Sequence, residues 1–126
     1  QMKEVVRTNK APAPVGPYSQ GIRTGGRIYV AGQGPVNPET GKMPEGIAEQ
    51  TRQTLNNVKA ILEEGGASME HVVKATVHLT DLGNFKGFNE VYREFFSEPY
   101  PVRTTVKSGL LGEMLVEIDV IAELDD

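Results

Sequence analysis

The sequence predicts an α+β fold, a two-layer sandwich with a mixed β-sheet and two helices on one face. Three observations predict it. Two segments repeat apolar residues at helical spacing, two others alternate apolar and polar residues, and prolines and glycines separate them. The resulting order, β-β-β-α-β-α-β-β, packs helices against one sheet. A length of 126 residues fits a single domain, 1–126.

Val5 to Thr8 reads as a short strand. The following "APAPVGPYSQG" contains Pro12, Pro14, Gly16 and Pro17. Prolines fix φ and remove backbone donors, so this stretch is a shaped loop or an edge strand. "RIYVAGQG", Arg27 to Gly34, is a strand. "NPETGK" has turn composition and is expected to join two hairpin strands. From Ile47 to Glu63, Ile47, Thr51, Leu55, Val58 and Leu62 fall on one helical face, and Gly65-Gly66 ends the helix as a left-handed cap would.

"VVKATVHLT" alternates, with Val73, Ala75, Val77 and Leu79 on one face and Lys74, Thr76, His78 and Thr80 on the other. "DLGNFKGFNEVYREFF" is a second amphipathic helix, with Asn84 as N-cap and a stripe of Phe88, Tyr92, Phe95 and Phe96. Pro99 and Pro101 stop it. A strand begins at Thr104 to Lys107, and Leu115 to Ala122 is the last one. Val116, Ile118, Val120 and Ala122 share one of its faces; Leu115, Glu117, Asp119 and Ile121 share the other. Both faces carry apolar residues, and two helices cannot cover both. A bare apolar sheet face suggests a partner subunit.

Net charge is −4, which argues against a nucleic-acid groove built on clustered Lys and Arg. The chain has no cysteine, so disulfides, thiolate catalysis and Cys-based zinc sites are impossible. No apolar run approaches the roughly 18 residues that span a bilayer. A cytoplasmic protein without membrane contact is expected. His71 and His78 are the only histidines and lack metal-ligand spacing, so neither metal nor cofactor is expected. Ser19, Ser68, Ser97 and Ser108 occupy no nucleophile elbow. "GGRIYVAGQG" lacks the phosphate-cradling glycine order. The aromatic stripe of the second helix reads as core, with the polar Asn89 beside it in reach of a pocket.

Arg103 stands at a strand entrance after a proline-rich break. A guanidinium matches a carboxylate through two parallel hydrogen bonds, which orient a ligand as well as hold it. On residue type alone, a structural or surface salt bridge is the commoner role of an arginine.

Five stretches shift that balance: "APAPVGPYSQG", "VAGQGPVNPETGK", "QTRQTLNNVKAILEEGGAS", "VVKATVHLTDLGNFKGFNEVYREFF" and "PVRTTV…LVEIDVIA". Together, and in this order, they resemble the Rid (YjgF-type) family of reactive-intermediate deaminases over nearly the whole chain. The resemblance implies a chorismate-mutase-like fold and a homotrimer with a central β-barrel and clefts between subunits. It implies cofactor-free hydrolysis of enamine/imine intermediates, such as 2-aminoacrylate, to a 2-keto acid and ammonia. By position, Arg103 matches the carboxylate-binding arginine and Glu117 the acidic residue linked to water activation. Tyr18, Gly32 and Asn89 match residues lining the cleft. Three features depart from the family pattern: Ala31, Thr105, and a shorter loop around Leu111-Gly112. Two alternatives stand beside this reading: a non-catalytic small-acid-binding regulator, and a ribonuclease or translation inhibitor.

Overall fold

A computed structural model describes residues 2–124. These residues form strands β1 (Glu4–Val6), β2 (Gly21–Thr24) and β3 (Arg27–Gln33), helix α1 (Ile47–Glu64), strand β4 (Val72–Leu79), helix α2 (Phe85–Phe95), and strands β5 (Val102–Lys107) and β6 (Val116–Glu123). The strands build one six-stranded sheet in the order β1-β2-β3-β6-β4-β5. All neighbours are antiparallel except β4 and β5, which run parallel and are linked through α2. The sheet is therefore mixed, and the fold is α+β.

The core lies between the helices and one sheet face. Leu55, Val58, Ile61 and Leu62 of α1 and Phe88 of α2 meet Ile28, Ala75, Val77, Leu79, Val116, Ile118 and Ala122, all essentially unexposed. The predicted α1 and β6 patterns are both realised, because each repeats its apolar residues at its own period.

Three local expectations are corrected. The "NPETGK" turn joins no hairpin; residues 34–46 are a loop leading into α1. Asn37 closes it by accepting hydrogen bonds from Gly41 N and Glu39 N, both at 2.8 Å. The extra strand is instead β2, at the end of the proline-rich stretch, pairing with β3 around Gly25-Gly26. In β4 a register shift lies between Val72 and Lys74, so Val72 is buried and Val73 is 41% exposed. An extra residue in a strand moves everything before it to the other face.

The left-handed cap expected of Gly65-Gly66 is present, with Gly66 as the left-handed residue at φ +91°. Ala67 N donates to Leu62 O at 2.8 Å, the six-to-one bond of a Schellman turn. At α2, Asn84 makes no side-chain cap. The Asp81 carboxylate instead accepts from Gly83 N at 2.8 Å and closes the 3₁₀ turn leading into the helix.

The sheet face away from the helices carries a row that crosses every strand: Val5, Ile22, Tyr29, Ile121, Lys74 and Val102 are successive register partners. Val5 and Val102 are largely exposed. Among the described residues no helix is long and apolar enough to cross a membrane.

Candidate functional site

Two cavities hold the residues singled out by sequence. The first forms between α2 and β5. Arg103 pairs in register with Ala75 of β4, whose small side chain leaves the guanidinium room beside the helix. Phe85, Phe88 and Tyr92 share one stripe of α2, at i, i+3 and i+7. The guanidinium carbon lies 5.6 Å, 5.4 Å and 4.7 Å from their ring centroids. A cation over an aromatic face is attracted by the ring quadrupole.

Among the described residues Arg103 forms no ion pair. The rings hold the charge, with the Tyr92 hydroxyl beside it, and no acid neutralises it among the described residues. Burial pushes the Tyr92 phenol above its ordinary pKa, and the Arg103 cation partly opposes that rise. Asn89, Tyr92, Arg93, Tyr100, Pro101 and Arg103 line a cavity of about 300 Å³.

The second cavity, of about 190 Å³, opens beside β3 and β6 and holds Tyr18, Gly32 and Glu117. Gly32 lies where the β3–β6 register shifts between Val30 and Gln33. A Cβ built on Gly32 would come 2.5 Å from Glu117 Oε2. The missing side chain is therefore the space in which the carboxylate rests. Gly32→Ala is expected to displace the Glu117 carboxylate and leave the fold intact, since the atoms it meets belong to one flexible side chain and not to the backbone. A crystal structure of the variant reads the displacement, and thermal unfolding should shift by no more than roughly 4 °C.

Buried amides fix the loops around this cavity. Gln20 Oε1 accepts from Thr8 N at 2.8 Å, and its Nε2 donates to Pro12 O at 2.8 Å, which shapes the proline-rich segment. Asn57 of α1 donates to Gly34 O at 3.0 Å and Val36 O at 2.9 Å. Gln50 accepts from Leu115 N at 2.8 Å, tethering the loop that carries Leu111 and Met114 into the lining. Gly112 in that loop has φ +58°, a region that favours glycine.

On the same sheet face Asp119 is half-buried. Burial raises its carboxyl above the usual range, and His78 and Lys74 pull it back. His78 Nδ1 in turn lies 2.7 Å from Ser108 Oγ. Both histidines lie outside the two cavities. Among the described residues no three His, Asp or Glu side chains gather as metal ligands.

The structure thus groups Asn89 with Arg103, and Tyr18 and Gly32 with Glu117, in separate cavities of one chain. Sequence reasoning did not find Gln20, Gln50, Asn57, Phe85 or Arg93. Phe85 was within reach, three residues before Phe88 on the same stripe; a buried amide among polar helix residues gives no signal.

A family model described as Endoribonuclease L-PSP matches residues 8–124. The chain belongs to the Rid (YjgF-type) family. A RutC family protein of Pyrococcus abyssi is 53% identical over 122 residues, 95% of this chain and 96% of the relative. Escherichia coli TdcF, provisionally named a reactive intermediate deaminase, is 42% identical over 125 residues, 96% of this chain and 97% of TdcF. Among solved Rid structures, RidA of an Antarctic Psychrobacter superposes with a TM-score of 0.93 at 43% identity, covering 96% of this chain and 99% of RidA. E. coli TdcF with bound serine superposes equally well, TM-score 0.93 at 40% identity, covering 97% and 99%.

Proposed function

We propose that this Rid protein hydrolyses enamine/imine intermediates, such as 2-aminoacrylate and its tautomer 2-iminopropanoate, to a 2-keto acid and ammonia. The observation that carries the reading is Arg103. It is an arginine held by three rings, free of any acid among the described residues, and open to a cavity. Such a group binds a carboxylate end-on and fixes its plane. The relatives' names and the serine bound in TdcF, an amino acid with the same carboxylate end, support it.

The split between the two cavities fits a homotrimer. Arg103 and Asn89 of one copy would then face Tyr18, Gly32 and Glu117 of the next. The row on the open sheet face, apolar but for Lys74, would meet its counterparts in a central barrel, which covers the exposed Val5 and Val102.

In the cleft, the carboxylate of the imine sits on Arg103. A water attacks the C=N carbon, and Glu117 accepts the water's proton and delivers it to nitrogen. The tetrahedral carbinolamine then collapses, losing ammonia and forming the C=O bond. The imine is already electrophilic, so placement of substrate and water is most of the task. Placement of this kind contributes on the order of 7 kcal/mol at best.

The test generates 2-aminoacrylate with a serine dehydratase and follows pyruvate formation. The protein is expected to accelerate release over buffer, and Glu117→Gln to reduce that acceleration by about 10²-fold, the scale of general base catalysis. Tight binding of 2-keto acids without acceleration would assign the cleft to a small-acid sensor. RNA cleavage by highly purified protein, lost in Arg103→Ala, would favour the nuclease reading.

A further inference from the structure

Arg93 shares the Arg103 cavity, and with it the cavity takes on an unusual charge. Its lining is Asn89, Tyr92, Arg93, Tyr100, Pro101 and Arg103: two guanidiniums, an amide, two phenols and no acid. Arg93 lies one helical turn from Asn89 on α2, so both side chains point to the same side.

Among the described residues no acid lines this cavity, and Glu94, next to Arg93 in sequence, pairs with Arg52 of α1. Arg93, like Arg103, forms no ion pair among the described residues. The whole chain carries a net −4, yet this cavity gathers two positive charges. Like charges brought together disfavour one another, and an anion between them relieves that.

We propose that Arg93 is a specificity-determining residue that selects ligands with a second anionic group, namely 2-imino and 2-keto dicarboxylates. The inference rests on the proposed reading, in which Arg103 holds the carboxylate next to the reacting carbon. Arg93 then meets the distal carboxylate at the cavity mouth, with Asn89 and Tyr100 as neutral donors beside it. Arg93 is exposed, so its contribution is screened by salt over a Debye length of about 10 Å at 0.1 M.

Calorimetry with two acids of equal carbon count tests this: 2-ketoglutarate, a dicarboxylate, and 2-ketopentanoate, a monocarboxylate. At low ionic strength the wild type should bind 2-ketoglutarate tighter by about fivefold, the scale of one charge pair near a protein surface. In Arg93→Gln the ratio should fall close to one, and in 0.5 M salt the wild-type ratio should shrink toward the same value. Arg103→Ala should weaken both acids together.

Equal affinities in the wild type, or a ratio unmoved by Arg93→Gln, overturn the proposal, as does absence of binding by both acids. Failure of the deaminase reading is distinguishable. There the ratio and its loss in Arg93→Gln would persist while no imine is hydrolysed faster than in buffer.

Discussion

The Arg103→Ala protein is expected to fold normally and to lose roughly 10³-fold in kcat/KM for 2-iminopropanoate. Truncating one partner of a hydrogen-bonded charge pair costs about 2–5 kcal/mol, and each 1.36 kcal/mol is tenfold in rate. In the proposed reaction the guanidinium fork sets the substrate's plane relative to the attacking water, so the loss should fall on kcat as well as KM. Arg103→Lys should recover little, since an ammonium is a point charge without the paired donors.

The folding cost is small by comparison. Arg103 is half-buried and gives up ring contacts worth about 0.5–2 kcal/mol, with no ion pair to break. Steady-state assays beside a thermal melt separate the two effects. A variant that keeps wild-type kcat/KM would remove Arg103 from the chemistry.

The helices and the last strand were readable in the sequence because their periodicity is strong and their burial is one-sided. α1 buries Thr51, Leu55, Val58 and Leu62 as its spacing requires, and β6 buries Val116, Ile118, Val120 and Ala122. Most of what escaped was set by pairing. β2 is four residues long and begins with a glycine, a weak strand signal by itself, although the Gly25-Gly26 turn into β3 marks the hairpin.

"NPETGK" is a true turn, but Lys42 to Gly46 contains a proline and no alternation, so no strand could follow it. The shift that turns Val73 outward depends on register with β6, which no β4 residue encodes alone. At the site, Arg103 and Glu117 were singled out by resemblance to a family. Their placement in separate cavities follows from the register: Arg103 pairs with Ala75 on the core face, Glu117 pairs with His78 on the opposite face, and β4 stands between their strands. Arg93 looked like any solvated residue on a helix until the fold set it beside Arg103.

Phe88→Ala should be the most destabilising single change in the α2 stripe, by about 4 kcal/mol, within the range for deleting a buried phenylalanine. Phe88 is fully buried. Its ring stands 5.4 Å from that of Tyr92, and Tyr92 stands 4.5 Å from Phe96, so the truncation removes the fully buried end of a continuous aromatic column. With total stability of order 5–15 kcal/mol, such a loss brings the chain near its unfolding threshold.

The same residue also lies beneath Arg103, so the stripe is both core and bed for the arginine. Phe88→Leu separates the roles. It keeps apolar volume and should cost under about 2 kcal/mol, yet it removes the ring face that attracts the cation. Urea unfolding at fixed protein concentration should place the leucine variant between wild type and alanine. Its kcat/KM should fall by severalfold through KM, at temperatures where it is fully folded. If the leucine variant matched wild type in KM while unfolding earlier, the ring would serve the core alone, and Phe85 and Tyr92 would carry the arginine without it.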